Sequence, residues 1–310
     1  MRRVAITGYG ITSCLGNTRE EVQASLCAGR SGITFLPERK ALGFRSALAG
    51  KMTPIGPLDA YGVPRKSERA MGPAVRMAVH ASHQALAHSG LSAEELQSER
   101  TAVIIGHGGV AQDVHQQVKA FHQLKATLPG TALQRAMNDT ISANLSILLG
   151  ARGVCHTVSA ACATGAVAIG QAWLLIQRGI QDRALAGGFM EDSWEYACQF
   201  DALKALSVRE DDPERASRPF DKGRDGLVPS AGGSIVVLED YERAVARGAT
   251  IQAELLGYSF ASDALDMTQP SGDGGRRAIL QALEAAGVAP REVDYVNAHA
   301  TSTQVGDVVE

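Results

Sequence analysis

The stretch Val154–Gly179, VCHTVSAACATGAVAIGQAWLLIQRG, restricts the fold more than any other part of the chain. Val154–Val158 is rich in β-branched residues and reads as a strand. Ala163–Arg178 contains no proline and stops at Gly179, so it reads as a helix with a glycine end. Only small side chains, Ser159-Ala160-Ala161-Cys162, join the two. A cysteine therefore lies at a strand-to-helix corner with little bulk around it. A thiolate there would face the positive end of a helix dipole, the setting that lowers a cysteine pKa. The small neighbours would let a carbonyl approach. The common alternative is a buried, inert cysteine, and position alone does not decide between them.

The rest of the chain repeats this alternation. Arg3–Thr7 reads as a buried strand ending in a Gly8-Tyr9-Gly10 turn, and Thr18–Glu21 as a capped helix start. The glycines there do not make a dinucleotide fingerprint, because Gly16 falls too late for G-x-G-x-x-G. Gly32–Pro64 reads as surface loops and short strands, and Met71–Ser89 as a helix. Thr101–Gly106 is a second buried strand running into His107-Gly108-Gly109, at the kind of strand end where α/β proteins hold ligands. Asp113–Leu128 reads as a surface helix and Asn138–Gly150 as another. Arg183–Gly188 is a third strand, and Ser193–Leu206 carries Trp194, Tyr196 and Phe200 at core-helix spacing. Ser234–Glu239 is a strand and Tyr241–Gly248 a helix. From Thr250 the pattern restarts with a strand at Ile251–Leu256, a helix at Gly275–Gly287 and a buried strand at Val293–Ala298. Strand–helix alternation throughout predicts an α/β fold with buried sheets.

Composition bounds the function. A 310-residue chain with 45% hydrophobic residues can bury a large core, and 33 glycines suit close backbone packing. A net charge of −3 is not the balance of a nucleic-acid-binding protein. The five cysteines have no metal spacing and no disulfide pattern, which predicts a reducing, cytoplasmic setting. No apolar run approaches the roughly 20 residues of a membrane span. No metal site and no cofactor motif are visible. His299, at the end of the predicted strand Val293–Ala298, has the most suggestive setting of the eight histidines. His156 reads as core. Cys162 with a distant histidine is the minimum for thiol catalysis, and spacing alone leaves hydrolase and acyltransferase open.

Three groups of residues then match one family. Ser159-Ala160-Ala161-Cys162-Ala163-Thr164-Gly165, Arg218-Pro219-Phe220-Asp221 with Arg224-Asp225-Gly226, and Asn297-Ala298-His299-Ala300-Thr301-Ser302-Thr303 with Gly306-Asp307 occur in the order found in the β-ketoacyl–acyl carrier protein synthases. The chain resembles this family along its whole length. Phe200-Asp201-Ala202-Leu203 and Ala231-Gly232-Gly233 look closer to its type I than its type II members.

The resemblance implies a thiolase-like layered α-β-α-β-α fold of two similar halves, residues 1–249 with the nucleophile and 250–310 as an incomplete second half. It implies that Cys162 takes an acyl group from phosphopantetheine, with its own N–H as half of an oxyanion hole. His299 would stabilise the charge that develops when malonyl carrier protein loses CO2. Thr301 and Thr303 would hold the phosphopantetheine arm. Gly109, Met137 and Phe200 would line the acyl pocket. The acidic carrier protein would dock on Arg65, Lys66, Arg69 and Lys125. The family's homodimers pair the strand corresponding to Val154–Val158 across a two-fold axis.

Three positions depart from the family pattern. Ala300 stands for a usual glycine, Gln304 for a proline, and Met190 for a glutamate that the adjacent Glu191 could replace. The family's second histidine, its lysine and its glycine-rich loop lie beyond Glu310, so the 310 residues alone are expected to be acylated at Cys162 without completing a condensation. A polyketide or aryl-polyene ketosynthase shares the same motifs. A non-catalytic partner subunit is disfavoured by the presence of Cys162, and a coenzyme-A-dependent enzyme by Thr301, Thr303 and the Arg218–Asp221 loop.

Overall fold

The structure, a computed structural model, describes residues 1–266 and 268–310. Its strands are β1 (Val4–Ser13), β2 (Ile33–Phe35), β3 (Leu48–Gly50), β4 (Thr101–His107), β5 (Cys155–Val158), β6 (Arg183–Met190), β7 (Gly232–Asp240) and β8 (Ala253–Glu254). Its helices begin with α1 (Arg19–Cys27), α2 (Pro37–Ala41), α3 (Arg65–Glu68), α4 (Pro73–Ser89), α5 (Ala93–Leu96), α6 (Ala111–Val118) and α7 (Ala132–Ala136). They continue with α8 (Thr140–Leu149), α9 (Thr164–Gln177), α10 (Trp194–Ala202), α11 (Tyr241–Ala246), α12 (Asp273–Ala286) and α13 (Gly306–Val309). The chain folds into two compact units, each discontinuous in sequence. The first comprises Met1–Arg30, Lys51–Tyr196 and Ser230–Leu255; the second comprises Ser31–Gly50, Ala197–Pro229 and Leu256–Glu310.

The first unit is built on a six-stranded sheet of order β5-β4-β6-β7-β1-β8. β4 runs parallel to β5 and β6, while β7 is antiparallel to both β6 and β1. β4 is buried along its full length, as a strand covered on both faces must be. Val103, Ile105, Leu185, Ile235 and Val237 point to one side, where they meet Met77, Ala78, Ala81 and Ala85 of α4 and Ile141 and Leu145 of α8. α9 packs on β4 and β6 with Val167, Ala168, Ala172 and Ile176 buried. One charged pair lies inside this core. Glu239 is 1% exposed, accepts a 2.6 Å hydrogen bond from the Thr7 hydroxyl and pairs with Arg247 at 2.6 Å, so its charge is matched where water is excluded.

β1 corrects the expected end of the first strand. The strand does not turn at Gly8-Tyr9-Gly10 but runs on to Ser13, with a bulge between Ile6 and Gly8. Both glycines instead admit α4. A Cβ at Gly8 would fall 2.2 Å from the Ala85 carbonyl oxygen, and one at Gly10 would fall 1.9 Å from that of Ala81. The Thr18 capping box forms as expected, with the hydroxyl accepting from the Glu21 N–H at 3.2 Å.

In the second unit β2 and β3 form a small antiparallel pair. Asp201 accepts the Arg45 and Ser46 N–H groups, and Glu210 accepts that of Ala47 at 2.8 Å, which ties the segment after β2 to Ala197–Pro229. The Gly32–Pro64 region is thus not merely superficial: Leu48 and Leu58 are fully buried. Val293–Ala298 differs more. No strand forms there among the described residues, and Tyr295 and Val296 are 78% and 71% exposed. A β-branched run becomes a strand only where a neighbouring strand completes its ladder, and none of the described residues supplies one. No helix among the described residues is long and apolar enough to cross a membrane.

The two roles of glycine are separable by experiment. Gly29 has φ +63° and nothing within 4 Å of where a Cβ would stand, whereas the Gly10 position is filled by α4. Urea unfolding should show Gly10→Ala losing about 3 kcal/mol or more, and Gly29→Ala only about 1 kcal/mol.

Candidate active site

The Cys162 corner is held by the first residue of α9. Ala161 adopts φ +47°, a left-handed conformation that costs a non-glycine residue about 1–2 kcal/mol. Thr164 stabilises it from both sides. Its hydroxyl accepts the Ala160 N–H at 2.7 Å and donates to the Ala161 carbonyl at 2.6 Å. Ala163 and Thr164 donate their N–H groups back to the carbonyls of Ala160 and Ala161, and among the described residues the Cys162 N–H makes no main-chain hydrogen bond. The thiol is exposed at the entrance to a 14-residue helix.

Glycines set how closely that helix approaches the sheet. A Cβ at Gly106, on β4, would fall 2.4 Å from the Thr164 methyl and 2.8 Å from its carbonyl oxygen. One at Gly188, on β6, would fall 3.0 Å from Cα of Gly165. The N-terminal turn of α9 is thereby seated on the carboxyl ends of two parallel strands.

Beside the corner lies a cleft of about 420 Å³, lined by His107, Gly109, Met137, Asn138, Thr157 and Ser159 among others. Gly109 has φ +126°, and a Cβ there would meet the Tyr196 hydroxyl at 3.0 Å, so this position is restricted to glycine by conformation and space. Met137 also lines a second, more apolar cleft of about 480 Å³ with Pro64, Met71 and Ile147. His107 is buried, and neither ring nitrogen has a hydrogen-bond partner of normal geometry. Burial pushes its pKa down, opposed by the nearby Asn138 carbonyl and by Asp113, so the ring is neutral.

Behind this cleft is a polar cluster that the sequence did not announce. Asp113, expected on a surface helix, is buried and paired with Arg135. Glu191 is buried with Oε1 unpartnered. Burial raises its pKa to about 7, with Asp113 and Glu195 adding to the rise while Arg135 and the Gln112 N–H oppose it. Trp194, expected in the core, is 41% exposed and meets the His115 ring edge-on at 5.0 Å. His156 Nε2 donates to the Gln171 Oε1 at 2.9 Å, and the residue is half-buried rather than core.

In the second unit, motifs some 80 residues apart interlock. The Arg218 N–H donates to the Ser302 hydroxyl at 3.0 Å and the Phe220 N–H to the Asp307 carboxylate at 2.8 Å. Arg224 donates to the carbonyls of Thr303 and Gln304 at 2.9 and 2.8 Å and lies 3.4 Å from Asp307. Ser302 and Asp307 are buried, whereas His299 is exposed. The Thr301 and Thr303 hydroxyls are 3.0 Å apart. Ala300 has φ +49°, which accounts for glycine being the easier residue there. Phe200 is half-buried in this unit. In the first unit Arg65, Lys66 and Arg69 are exposed on and just after α3, and Lys125, also exposed, lies in the irregular segment between α6 and α7. No group of three or more metal-binding side chains occurs among the described residues.

Comparison with known proteins gives two family matches, "Beta-ketoacyl synthase, N-terminal domain" over residues 1–244 and "Beta-ketoacyl synthase, C-terminal domain" over residues 252–310. The chain is 42% identical to 3-oxoacyl-[acyl-carrier-protein] synthase 1 of Haemophilus influenzae, over 100% of its own length and 76% of that protein's. A crystal structure of a beta-ketoacyl synthase from Burkholderia phymatum superposes with a TM-score of 0.93 at 38% identity, covering all of this chain and 76% of that one. A type II polyketide ketosynthase, in complex with its acyl-carrier protein and bound to a hexaketide, superposes at 0.88 with 28% identity, covering 99% of this chain and 76% of that one.

Thr164→Val keeps the shape and removes both corner hydrogen bonds, leaving the Ala160 N–H unpaired; urea unfolding should register a loss of about 1–3 kcal/mol. Ala300→Gly should instead raise stability by roughly 1 kcal/mol in the same measurement, because glycine accepts the left-handed conformation without strain.

Proposed function

Because the chain belongs to the β-ketoacyl synthase family, we propose that it carries out a decarboxylative Claisen condensation, extending an acyl group held on Cys162 by two carbons taken from a malonyl group on an acyl carrier protein. The observation that carries this reading is the exposed Cys162 at the head of α9, beside the cleft at the end of β4. In the first step the Cys162 thiolate attacks the acyl thioester, the bond to the pantetheine sulfur breaks, and that sulfur leaves as a thiolate that takes its proton from water. The Cys162 N–H, at the entrance to α9, donates to the oxyanion of the tetrahedral intermediate. In the second step the malonyl carboxylate leaves as CO2, and its bonding pair becomes an enolate whose oxygen His299 stabilises. The enolate carbon attacks the acyl-cysteine, the carbon–sulfur bond breaks, and the thiolate returns as a 3-ketoacyl thioester forms.

Thr301 and Thr303 hold the pantetheine arm, on a loop kept rigid by Arg224 and Asp307. Gly109, Met137 and Phe200 line the acyl pocket, and Arg65, Lys66, Arg69 and Lys125 receive the acidic carrier protein. Residues 1–249 and 250–310 represent the two thiolase-like halves. Fatty-acid elongation is favoured over polyketide synthesis by the higher identity to the Haemophilus enzyme than to the polyketide ketosynthase, 42% against 28%. A second copy of the chain pairs along β5, which ends the sheet and bears the exposed Cys155. Five free thiols suit the cytoplasm.

Mass spectrometry after incubation with octanoyl carrier protein should find the octanoyl adduct on the Cys162 peptide and none in Cys162→Ser. An adduct on Cys155 or Cys198 would overturn the assignment.

A further inference from the structure

We infer that Arg76 is a positioning residue for carrier-protein docking: by holding the Glu68 carboxylate against α4, it keeps that carboxylate away from the cations of α3. This deepens the proposed function and rests on reading Arg65, Lys66 and Arg69 as part of the carrier-protein surface.

The run Arg65-Lys66-Ser67-Glu68-Arg69 sets three cations around one anion, and Glu68 is the only acidic residue between Ala60 and Ala81. Arg65, Lys66 and Arg69 are exposed, whereas Glu68 is half-buried. Arg65 and Glu68 stand three residues apart on α3, the spacing at which opposite charges on a helix pair. They do not pair here. The Glu68 carboxylate instead accepts from Nη1 of Arg76, on α4. With side-chain exposures of 27% for Arg76 and 19% for Glu68, this ion pair is screened less than one on open surface.

The guanidinium is well fixed for this task. Around it on α4, Ala74, Val75, Met77 and Ala78 are buried in the core of the first unit. Nη2 of Arg76 donates to the Gly56 carbonyl at 2.7 Å, so one planar group is held at both nitrogens. One turn further along α4, His80 Nε2 donates to the Asn17 carbonyl at 2.7 Å, and its Nδ1 therefore accepts from the Tyr61 hydroxyl at 2.6 Å. α4 thus grips the chain at Gly56 and Tyr61, before α3, and at Glu68, within it. The helix α3 has no side-chain cap and is far shorter than one that is stable alone, so these grips decide how it presents its charges. Buried Val63 and Met71 fix the ends of the segment, and Arg76 fixes where its acidic side chain points. Released, Glu68 would have Arg65 and Arg69 as its nearest partners and would offset the positive face that an acidic protein recognises.

The test measures binding of fluorescently labelled octanoyl carrier protein by anisotropy, alongside acylation of Cys162 by octanoyl phosphopantetheine, which bypasses α3. Arg76→Met should raise the carrier-protein Kd about threefold or more and leave the phosphopantetheine reaction unchanged. Glu68→Gln should then tighten binding about threefold or more in the Arg76→Met background, but less than about twofold in the wild type, where the carboxylate is already held away. Equal gains in the two backgrounds would mean that net charge alone matters and would overturn the proposal. An unchanged Kd in Arg76→Met, a loss that Glu68→Gln does not recover, or an equal loss with phosphopantetheine would do the same. Arg65→Ala separates the two layers of the argument. If it weakens binding while Arg76→Met does not, only the role of Arg76 is lost; if it leaves Kd unchanged, the docking reading beneath the proposal is lost with it.

Discussion

The close seating of α9 on β4 and β6 is the constraint on which the first unit depends. Gly106, Gly165 and Gly188 leave no side chain where the helix meets the strands. That closeness fixes where the helix begins, and Thr164 then fixes how the chain enters it. The left-handed Ala161 is tolerated because two hydrogen bonds from one hydroxyl flank it. The thiol position follows from backbone packing rather than from any contact made by the cysteine itself.

The corner was legible in the sequence because its signals are local. A β-branched run, four small residues and a glycine-ended helix each have a near-neighbour cause. Gly8 and Gly10 show the limit of such reading: locally they suggest a turn, but their cause is the main chain of α4, some seventy residues on. The buried carboxyl cluster was illegible for the same reason. Asp113, Arg135 and Glu191 lie on separate elements, and a lone acidic residue in a polar segment looks like solvated surface. Val293–Ala298 failed in the opposite direction, since its composition suits a strand that its surroundings do not complete.

In the second unit, resemblance carried what residue patterns could not. Nothing in the spacing of Arg218–Gly226 and Thr301–Asp307 joins them. The fold does so through main-chain donors to Ser302 and Asp307 and through Arg224, which binds two carbonyls and a carboxylate at once. A planar guanidinium with several fixed donors suits that task better than a lysine ammonium would. The loop carrying His299 is therefore anchored at one end by buried polar groups, while the histidine stays exposed.

The contact between Gly106 and Thr164 limits the routes by which this protein could be redesigned. Part of the obstacle at position 106 is the carbonyl of Thr164, not its side chain. Shrinking residue 164 to serine would remove the methyl and still leave no room. Any side chain at 106 would have to lift the helix end, pulling the hydroxyl away from the alanines it holds. New chemistry at this corner must therefore come from residues that border the thiol, because the frame beneath it offers no compensating pair of substitutions.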